Sequence, residues 1–137
     1  MSIGTNENKE LVRRFVGSVL QDLDPDAVDE LVGDEFVSHT WNFKGDAKEG
    51  LKQITGVMAE ALSDIDFKVD DLIAEGDQVV ARVTSSATQS GEFHGLPPSG
   101  KSYTIGEIHI FRLADGKIAE HWHQYDGLGL MSQLKSS

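Results

Sequence analysis

The sequence predicts one α+β domain over residues 1–137, in which helices come first and an antiparallel sheet follows. Three observations predict this class. Apolar residues recur at three- and four-residue spacing in the first part of the chain, they alternate singly in the second part, and glycine-aspartate pairs separate the alternating segments. A chain of 137 residues is long enough for one core, and a second domain is not expected.

Three helices are predicted before residue 63. The first follows the apolar stripe in "KELVRRFVGSVLQ". The second begins after Asp24, a suitable N-cap, and ends at Gly33. Asp46 and Glu49 have the spacing of a capping box and start the third, whose apolar face continues to Leu62.

A first strand is predicted between the second and third helices, from Glu35 to Trp41, with Val37, His39 and Trp41 on one face. The remaining strands are "DFKVDDLIAE", "QVVARVTSSATQ", "SYTIGEIHIFRL" and "KIAEHWHQYD". A Gly-Asp turn, the loop "SGEFHGLPPSGK" and an Asp-Gly turn separate them. The tail "GLGLMSQL" predicts one final helical turn.

The turn Asp115-Gly116 fixes a register for the last hairpin, because both central positions of the favoured turn need positive φ. Opposed residue numbers then sum to 231, unless a bulge intervenes. One face is predicted to carry Glu107, His109, Trp122, Gln124 and Asp126. The other carries Ile108, Ile110, Arg112, His121, His123 and Tyr125. The first face becomes ionisable away from the turn, which suits a pocket wall, although an exposed polar face is the alternative.

Charge and composition exclude several classes of partner and site. The chain has 12 Lys+Arg against 23 Asp+Glu, a net charge of -11, so nucleic acid and anionic membranes are not expected as partners. Its apolar runs are too short to span a bilayer and its N-terminus lacks an export signal, which predicts a cytoplasmic location. With Cys 0, disulfides, thiol nucleophiles and thiolate metal sites are excluded.

Metal and nucleotide sites are not predicted either. His121 and His123 form an H-x-H pair that could chelate an ion, but the sequence indicates no third ligand, so a subunit interface or surface is the preferred interpretation. There is no G-x-S-x-G for a hydrolase elbow and no G-x-G-x-x-G or phosphate loop. The prediction is therefore no metal and no cofactor.

Four segments resemble the SnoaL-like polyketide cyclases and their ester-cyclase-like relatives, from about Leu11 to Leu134. They are "FVSHT", "DDLIAEGDQVVARV", "GEFHGLPPSGKSY" and "HIFRLADGKIAEHWHQYDGLGLMSQL". The resemblance implies the cone-shaped fold of the nuclear transport factor two superfamily: a curved antiparallel sheet, covered by three N-terminal helices, that encloses a cavity. It also implies homodimers paired through the outer sheet face and ring closure by intramolecular aldol condensation without a cofactor.

The resemblance assigns the general acid/base to an aspartate at the end of the last long strand, here Asp126. We therefore expect Asp126 to take a carbon-bound proton and His109 to stabilise or protonate the oxyanion. The residues expected to line the site of a small hydrophobic carbonyl-containing ligand are His39, Trp41, Glu107, Trp122 and Gln124. Alternatives are a noncatalytic small-ligand-binding or dimerisation module, and an epoxide or ester hydrolase. Asp126 could also cap the terminal helix.

Overall fold

Residues 4–135 are described by a computed structural model, in which helices pack on one face of a curved five-stranded sheet. The predicted α+β class is confirmed. In chain order the elements are α1 (Thr5–Phe15), a π-helical segment (Val16–Gln21), α2 (Pro25–Leu31), β1 (Val32–Ser38), α3 (Ala47–Ala61), β2 (Leu62–Glu75), β3 (Gln78–Gln89), β4 (Ser102–Ala114), β5 (Lys117–Tyr125) and α4 (Gly127–Lys135).

The sheet has the order β1-β5-β4-β3-β2. The pairs β2/β3, β3/β4 and β4/β5 are antiparallel hairpin neighbours, as predicted, but β1 pairs with β5 in parallel. The prediction of a wholly antiparallel sheet is therefore wrong at this edge. The reason is connectivity: α3 contacts both β1 and β2, which lie at opposite edges, so it carries the chain across the sheet.

The predicted helices form because their N-termini are capped and one face of each is apolar. Asp24 Oδ1 accepts a hydrogen bond from the amide of Asp26 at 2.9 Å, and Asp46 Oδ1 accepts from that of Lys48 at 2.9 Å. Phe15 is fully buried and meets Phe111 edge-to-face at 5.3 Å, which stabilises the fold by about 2–3 kcal/mol through burial. This contact ties α1 to the inner face of the sheet.

The last helix is longer than the single turn predicted. Leu130 and Leu134 of α4 are buried, and this helix contacts β4. At its start, Asp126 Oδ1 accepts a hydrogen bond from the amide of Gly129 at 2.8 Å. The capping role considered for Asp126 is thus confirmed. A Cβ on Gly129 would lie 2.1 Å from Asp126 Oδ2, so a larger residue here would require the Asp126 side chain to move.

No helix within residues 4–135 is long and apolar enough to cross a lipid bilayer.

Candidate active site

The β4–β5 hairpin begins as the sequence predicts and then departs from the prediction. Asp115 and Gly116 have φ of 53° and 72°, as the favoured turn requires, and Leu113 pairs with Ile118. The next pair is Arg112 with Glu120, which leaves one extra residue in β5. Beyond this bulge the pairs are Phe111 with His121, His109 with His123 and Glu107 with Tyr125. The predicted register is therefore wrong from the bulge onwards.

A charge explains why the bulge is preferred. Without it, Glu120 would lie opposite Phe111, which is fully buried on the inner face. A carboxylate left unpaired there would cost several kcal/mol. With the bulge, Glu120 lies on the outer face, where Arg112 Nε donates to its Oε1 at 2.7 Å and His39 contacts its Oε2.

The bulge exchanges the two faces of β5. His121, His123 and Tyr125 turn inward, beside Glu107 and His109 of β4. Trp122 and Gln124, predicted on this wall, turn outward instead. Both predictions are therefore wrong.

His39 and Trp41 were predicted to share a face with each other, and the structure separates them. Strand β1 ends at Ser38, whose Oγ accepts hydrogen bonds from the amides of Thr40 and Trp41 at 3.3 and 3.0 Å. This turn breaks the alternation. His39 stacks on outward-facing Trp122 at 4.9 Å, whereas Trp41 points inward and stacks on His121 at 4.3 Å. The placement of His39 in the pocket is thus wrong.

Asp126 does not reach the inner wall. Its side chain is exposed at the end of β5, where it caps α4, and it is absent from the pocket lining. The predicted position of Asp126 on the wall with His109 is therefore wrong, because the bulge and the strand end redirect it. Its catalytic role stays a prediction from family resemblance.

A pocket of about 300 Å³ lies between the sheet and the helices. Its walls are mostly apolar, from the π-helical segment, α3 and β2, and Trp41 lines it as predicted. The loop that follows β3 contributes Phe93 and His94. Glu107, His109 and His123 form its ionisable side. The pocket therefore joins a large apolar surface to one compact polar cluster.

This cluster is built on one carboxylate. Glu107 is 8% exposed, His109 0% and His123 9%. The Nε2 atoms of His109 and His123 lie 3.0 and 2.8 Å from the same oxygen, Glu107 Oε1, and their rings stack at 4.0 Å. Ser85 Oγ donates to Glu107 Oε2. On the far side, His121 Nε2 lies 2.9 Å from His109 Nδ1. The carboxylate thus has three hydrogen-bond donors.

Burial and hydrogen bonding set the charges in this cluster. Burial alone would raise the pKa of Glu107, but the hydrogen bonds from His109, His123 and Ser85 outweigh it and hold that pKa well below its usual range. Burial lowers the pKa of His109, and it lowers the pKa of His121 to about 2. At neutral pH, Glu107 is therefore ionised while His109 and His121 are neutral.

These charges fix where the imidazole protons lie. An ionised carboxylate only accepts, so His109 and His123 each carry their proton on Nε2. Neutral His109 then has a bare Nδ1, which accepts a hydrogen bond from the Nε2–H of His121. His121 is left with a bare Nδ1, and the buried Nδ1 atoms of His121 and His123 have no hydrogen-bond partner within residues 4–135. Of these two rings, only His123 lines the pocket.

The same side chains include the donor set of a metal site. Glu107, His109 and His123 each offer one ligand atom, and these atoms lie within 4.8 Å of one another. An ion bound by both Nε2 atoms would force the imidazole protons onto Nδ1. Buried N–H groups of His121 and His123 would then lack acceptors in the described part of the chain. The geometry therefore favours a hydrogen-bonded acid/base cluster over a metal centre.

Sequence reasoning missed His121 and His123 as inner residues and also missed Tyr103. The signal that could have found the histidines was Glu120, because the unbulged register would bury that charge. Tyr103 lies on the inner face of β4, two positions along from Ile105, and lines the pocket. Burial, with the nearby Glu107 charge, raises the pKa of Tyr103 to about 12, so its hydroxyl remains a donor.

Comparisons with known proteins agree with this architecture. A sequence profile of the family described as SnoaL-like polyketide cyclase matches residues 10–134. The aklanonic acid methyl ester cyclase DnrD of Streptomyces peucetius is 34% identical over 59 residues, which are 43% of this chain and 41% of that protein. The match thus spans about two fifths of that curated relative.

Solved structures extend the similarity to the whole fold. TsrD from Streptomyces laurentii has a TM-score of 0.89 and 31% sequence identity, covering 99% of this chain and 100% of that one. An LEH-like epoxide hydrolase from M. tuberculosis has a TM-score of 0.73 and 20% identity, covering 95% of this chain and 90% of that one. The second similarity concerns the fold alone.

Proposed function

Since the chain belongs to the SnoaL-like polyketide cyclases, we propose that it closes a ring in a small carbonyl compound by intramolecular aldol condensation. The observation that carries this proposal is the ionised Glu107, buried with two imidazoles at the polar side of an apolar pocket. The relative DnrD is named as an aklanonic acid methyl ester cyclase, which supports a methyl ester as the substrate, and the mostly apolar pocket walls suit an apolar compound. No cofactor is part of the proposal.

His123 is the proposed base. Its Nε2–H is held by Glu107, and its buried Nδ1 has no hydrogen-bond partner among the described residues. The proposal requires a bound substrate to contact this atom. The substrate C–H bond breaks, its proton forms an N–H bond at Nδ1, and the electron pair remains on the substrate as an enolate. The resulting imidazolium is stabilised by the carboxylate 2.8 Å away. The net charge of the site is unchanged, because one proton only moves within it.

The enolate carbon then attacks a carbonyl carbon of the same molecule, and the new alkoxide takes the proton back. Tyr103 supplies a pocket hydroxyl that stays protonated and can donate to the developing oxyanion. His109 shares the oxygen Glu107 Oε1 and serves as the second imidazole of the cluster. The apolar walls hold the chain folded on itself, which lowers the entropic cost of ring closure.

The backbone of His123 is held by Thr40, two residues after the end of β1. Thr40 Oγ1 accepts a hydrogen bond from the amide of His123 at 2.7 Å and donates to its carbonyl at 3.1 Å. Trp41 meets the His123 ring edge-to-face at 5.8 Å, and Tyr125 stacks on it at 5.2 Å. The imidazole is therefore fixed by backbone and ring contacts as well as by Glu107, as a preorganised base requires.

The test is turnover of aklanonic acid methyl ester and of a panel of β-keto esters that carry a second ketone. Glu107→Gln keeps the shape and removes the charge, and we expect kcat to fall by about 10²-fold or more. Asp126→Asn changes an exposed carboxylate that does not line the pocket; it is the matched control, and we expect it to stay within about twofold of wild type.

The reverse result decides against the proposal. If Asp126→Asn abolished turnover while Glu107→Gln and His123→Gln kept it, the base would be Asp126, as the family resemblance predicts. Saturable binding of the panel with no turnover by the wild type would instead favour the noncatalytic ligand-binding alternative.

We also propose that two copies pair through the outer face of the sheet, as the resemblance implies. That face exposes apolar surface, including 46% of Ile108, beside the outward ring of Trp122. Ile108→Glu should convert a dimer to a monomer, as measured by light scattering coupled to size-exclusion chromatography. A monomeric wild type would contradict this. The cytoplasmic location stays a prediction.

A further inference from the structure

His121 is a buried ionisable residue that the proposed reaction does not use. It is 0% exposed and does not line the pocket. Its ring stacks on Trp41 at 4.3 Å and lies 5.0 Å from that of Phe111. These contacts would be made equally well by a phenyl ring. A histidine here needs another explanation, since burying an imidazole costs more than burying a phenyl group.

The hydrogen bond to His109 supplies that explanation. His121 Nε2 lies 2.9 Å from His109 Nδ1. In neutral His109 the only ring proton is on Nε2, which donates to Glu107, so Nδ1 can only accept. His121 therefore donates and His109 Nδ1 accepts. A lone pair that accepts a hydrogen bond is less available to a proton, so this contact favours the neutral form of His109.

The charge of His109 matters to the neighbouring imidazole. His109 and His123 contact the same oxygen of Glu107, at 3.0 and 2.8 Å. If His109 became an imidazolium, it would neutralise that carboxylate and repel a second positive charge on His123, whose ring centroid is only 4.0 Å from its own. The carboxylate would then no longer stabilise a protonated His123.

We propose that His121 is a positioning residue that keeps His109 neutral, so that the full charge of Glu107 serves His123. The inference rests on the proposed function and identifies how the same site is tuned. The ionisable groups that face His109 are Glu107, His121 and His123, and Tyr103 lies further along the same strand. On the neighbouring strand β3, the residue paired with His109 is Ala81, which is uncharged.

Two variants separate this role from packing. His121→Phe keeps the ring contacts with Trp41 and Phe111 but removes the donor. His121→Gln places an amide N–H near the position of Nε2 and keeps the donor. Thermal melts of both variants should show folded protein, and near-ultraviolet circular dichroism should show retained aromatic packing.

The first measurement is ¹⁵N NMR of protein labelled at histidine, which needs no substrate. In the wild type and His121→Gln, His109 Nδ1 should show the shift of a nitrogen that accepts a hydrogen bond. In His121→Phe it should move towards that of an unbonded nitrogen, and His109 should protonate about one pH unit higher, the effect of losing one hydrogen bond to the neutral form. An unchanged Nδ1 signal in His121→Phe would overturn the inference.

The second measurement is the pH profile of kcat. His121→Phe should lose about tenfold at the acidic end of the profile and stay within about twofold of wild type at pH 8, while His121→Gln restores the acidic end. A uniform loss at all pH values would indicate packing alone and contradict the inference. If no variant or wild type turned over any substrate, the proposed function would fail, and the NMR result would still decide the role of His121.

Discussion

Lowering the pH from 8 to 5 should cost the protein at least about 2 kcal/mol of folding free energy, because two buried histidines are held neutral in the fold. His109 and His121 both have pKa values lowered by burial from an ordinary 6.5. In the unfolded chain each regains that ordinary value and takes up a proton below it. At pH 5, 1.5 units lower, His121, whose pKa in the fold is about 2, favours the unfolded state by about 2 kcal/mol, and His109 adds to this in the same direction.

The direction and the window follow from these shifts. A histidine whose pKa is lower in the folded state makes stability fall as the pH drops below 6.5, because only the unfolded chain binds the proton. Glu107, whose pKa is also lowered, adds its loss only below about its ordinary 4.5. A loss of at least about 2 kcal/mol would be a substantial share of the roughly 5–15 kcal/mol that domains possess.

Urea denaturation followed by circular dichroism at pH 8, 7, 6 and 5 measures this dependence. His121→Phe should remove the contribution of His121, about 2 kcal/mol between pH 8 and 5, whatever its effect on absolute stability. His121→Gln, which also lacks the imidazole, is the matched variant and should lose the same contribution. Equal stability at pH 8 and 5, or an unchanged slope in His121→Phe, would refute the assignment of neutral buried imidazoles.

Two further predictions concern the loop beside the pocket and the absence of a metal. Gln89 is fully buried, and its Nε2 donates to the carbonyls of Gly91, Leu96 and Pro97 at 3.0–3.1 Å. Gln89→Glu replaces this donor with an acceptor and should lower the free energy of unfolding by about 3 kcal/mol in urea denaturation. A loss below about 1 kcal/mol would show that these hydrogen bonds do not hold the loop. Adding zinc or EDTA should leave the melting temperature unchanged, because a bound ion would leave two buried imidazole N–H groups without acceptors. Saturable stabilisation by zinc that is lost in Glu107→Gln would contradict the assigned tautomers.

Much of the fold was predictable because local signals agree with the tertiary structure. The caps at Asp24 and Asp46, and the turn at Asp115-Gly116, all lie where the sequence predicts. The inner face of β4 was also predicted correctly, since its strict alternation matches a half-buried strand. The family similarity, predicted from quoted segments, is confirmed by the match over residues 10–134.

The site was less predictable than the fold, because the side chains that face the pocket depend on which residues of β4 and β5 are paired. A bulge needs no special residue type, and nothing local in "KIAEHWHQYD" marks one. The turn of the chain at Ser38 depends on a side-chain hydrogen bond that periodicity does not register. Hence Glu107, His109 and Trp41 were predicted in the pocket correctly, whereas residues beyond the bulge were assigned to the wrong face.

The spacing of the buried residues in β5 nevertheless reveals the bulge. Ile118 and His121 are both fully buried, although they are three residues apart, and a regular strand cannot turn both inward. One residue between them must be extra, and Ala119 is that residue in the pairing. Deleting Ala119 would leave Glu120 opposite Arg112 and His123 opposite His109 with no bulge.

We therefore expect the Ala119 deletion to keep the cluster around Glu107, at a stability cost below about 2 kcal/mol from the lost bend. Urea denaturation between pH 8 and 5 should show the slope of the wild type, because the same two histidines stay buried. Loss of that slope in a folded variant would mean that the bend, and not the side-chain pattern, decides which imidazoles face Glu107. The explanation that the charge of Glu120 sets the register would then fail, because Glu120 would face outward while other residues faced the pocket.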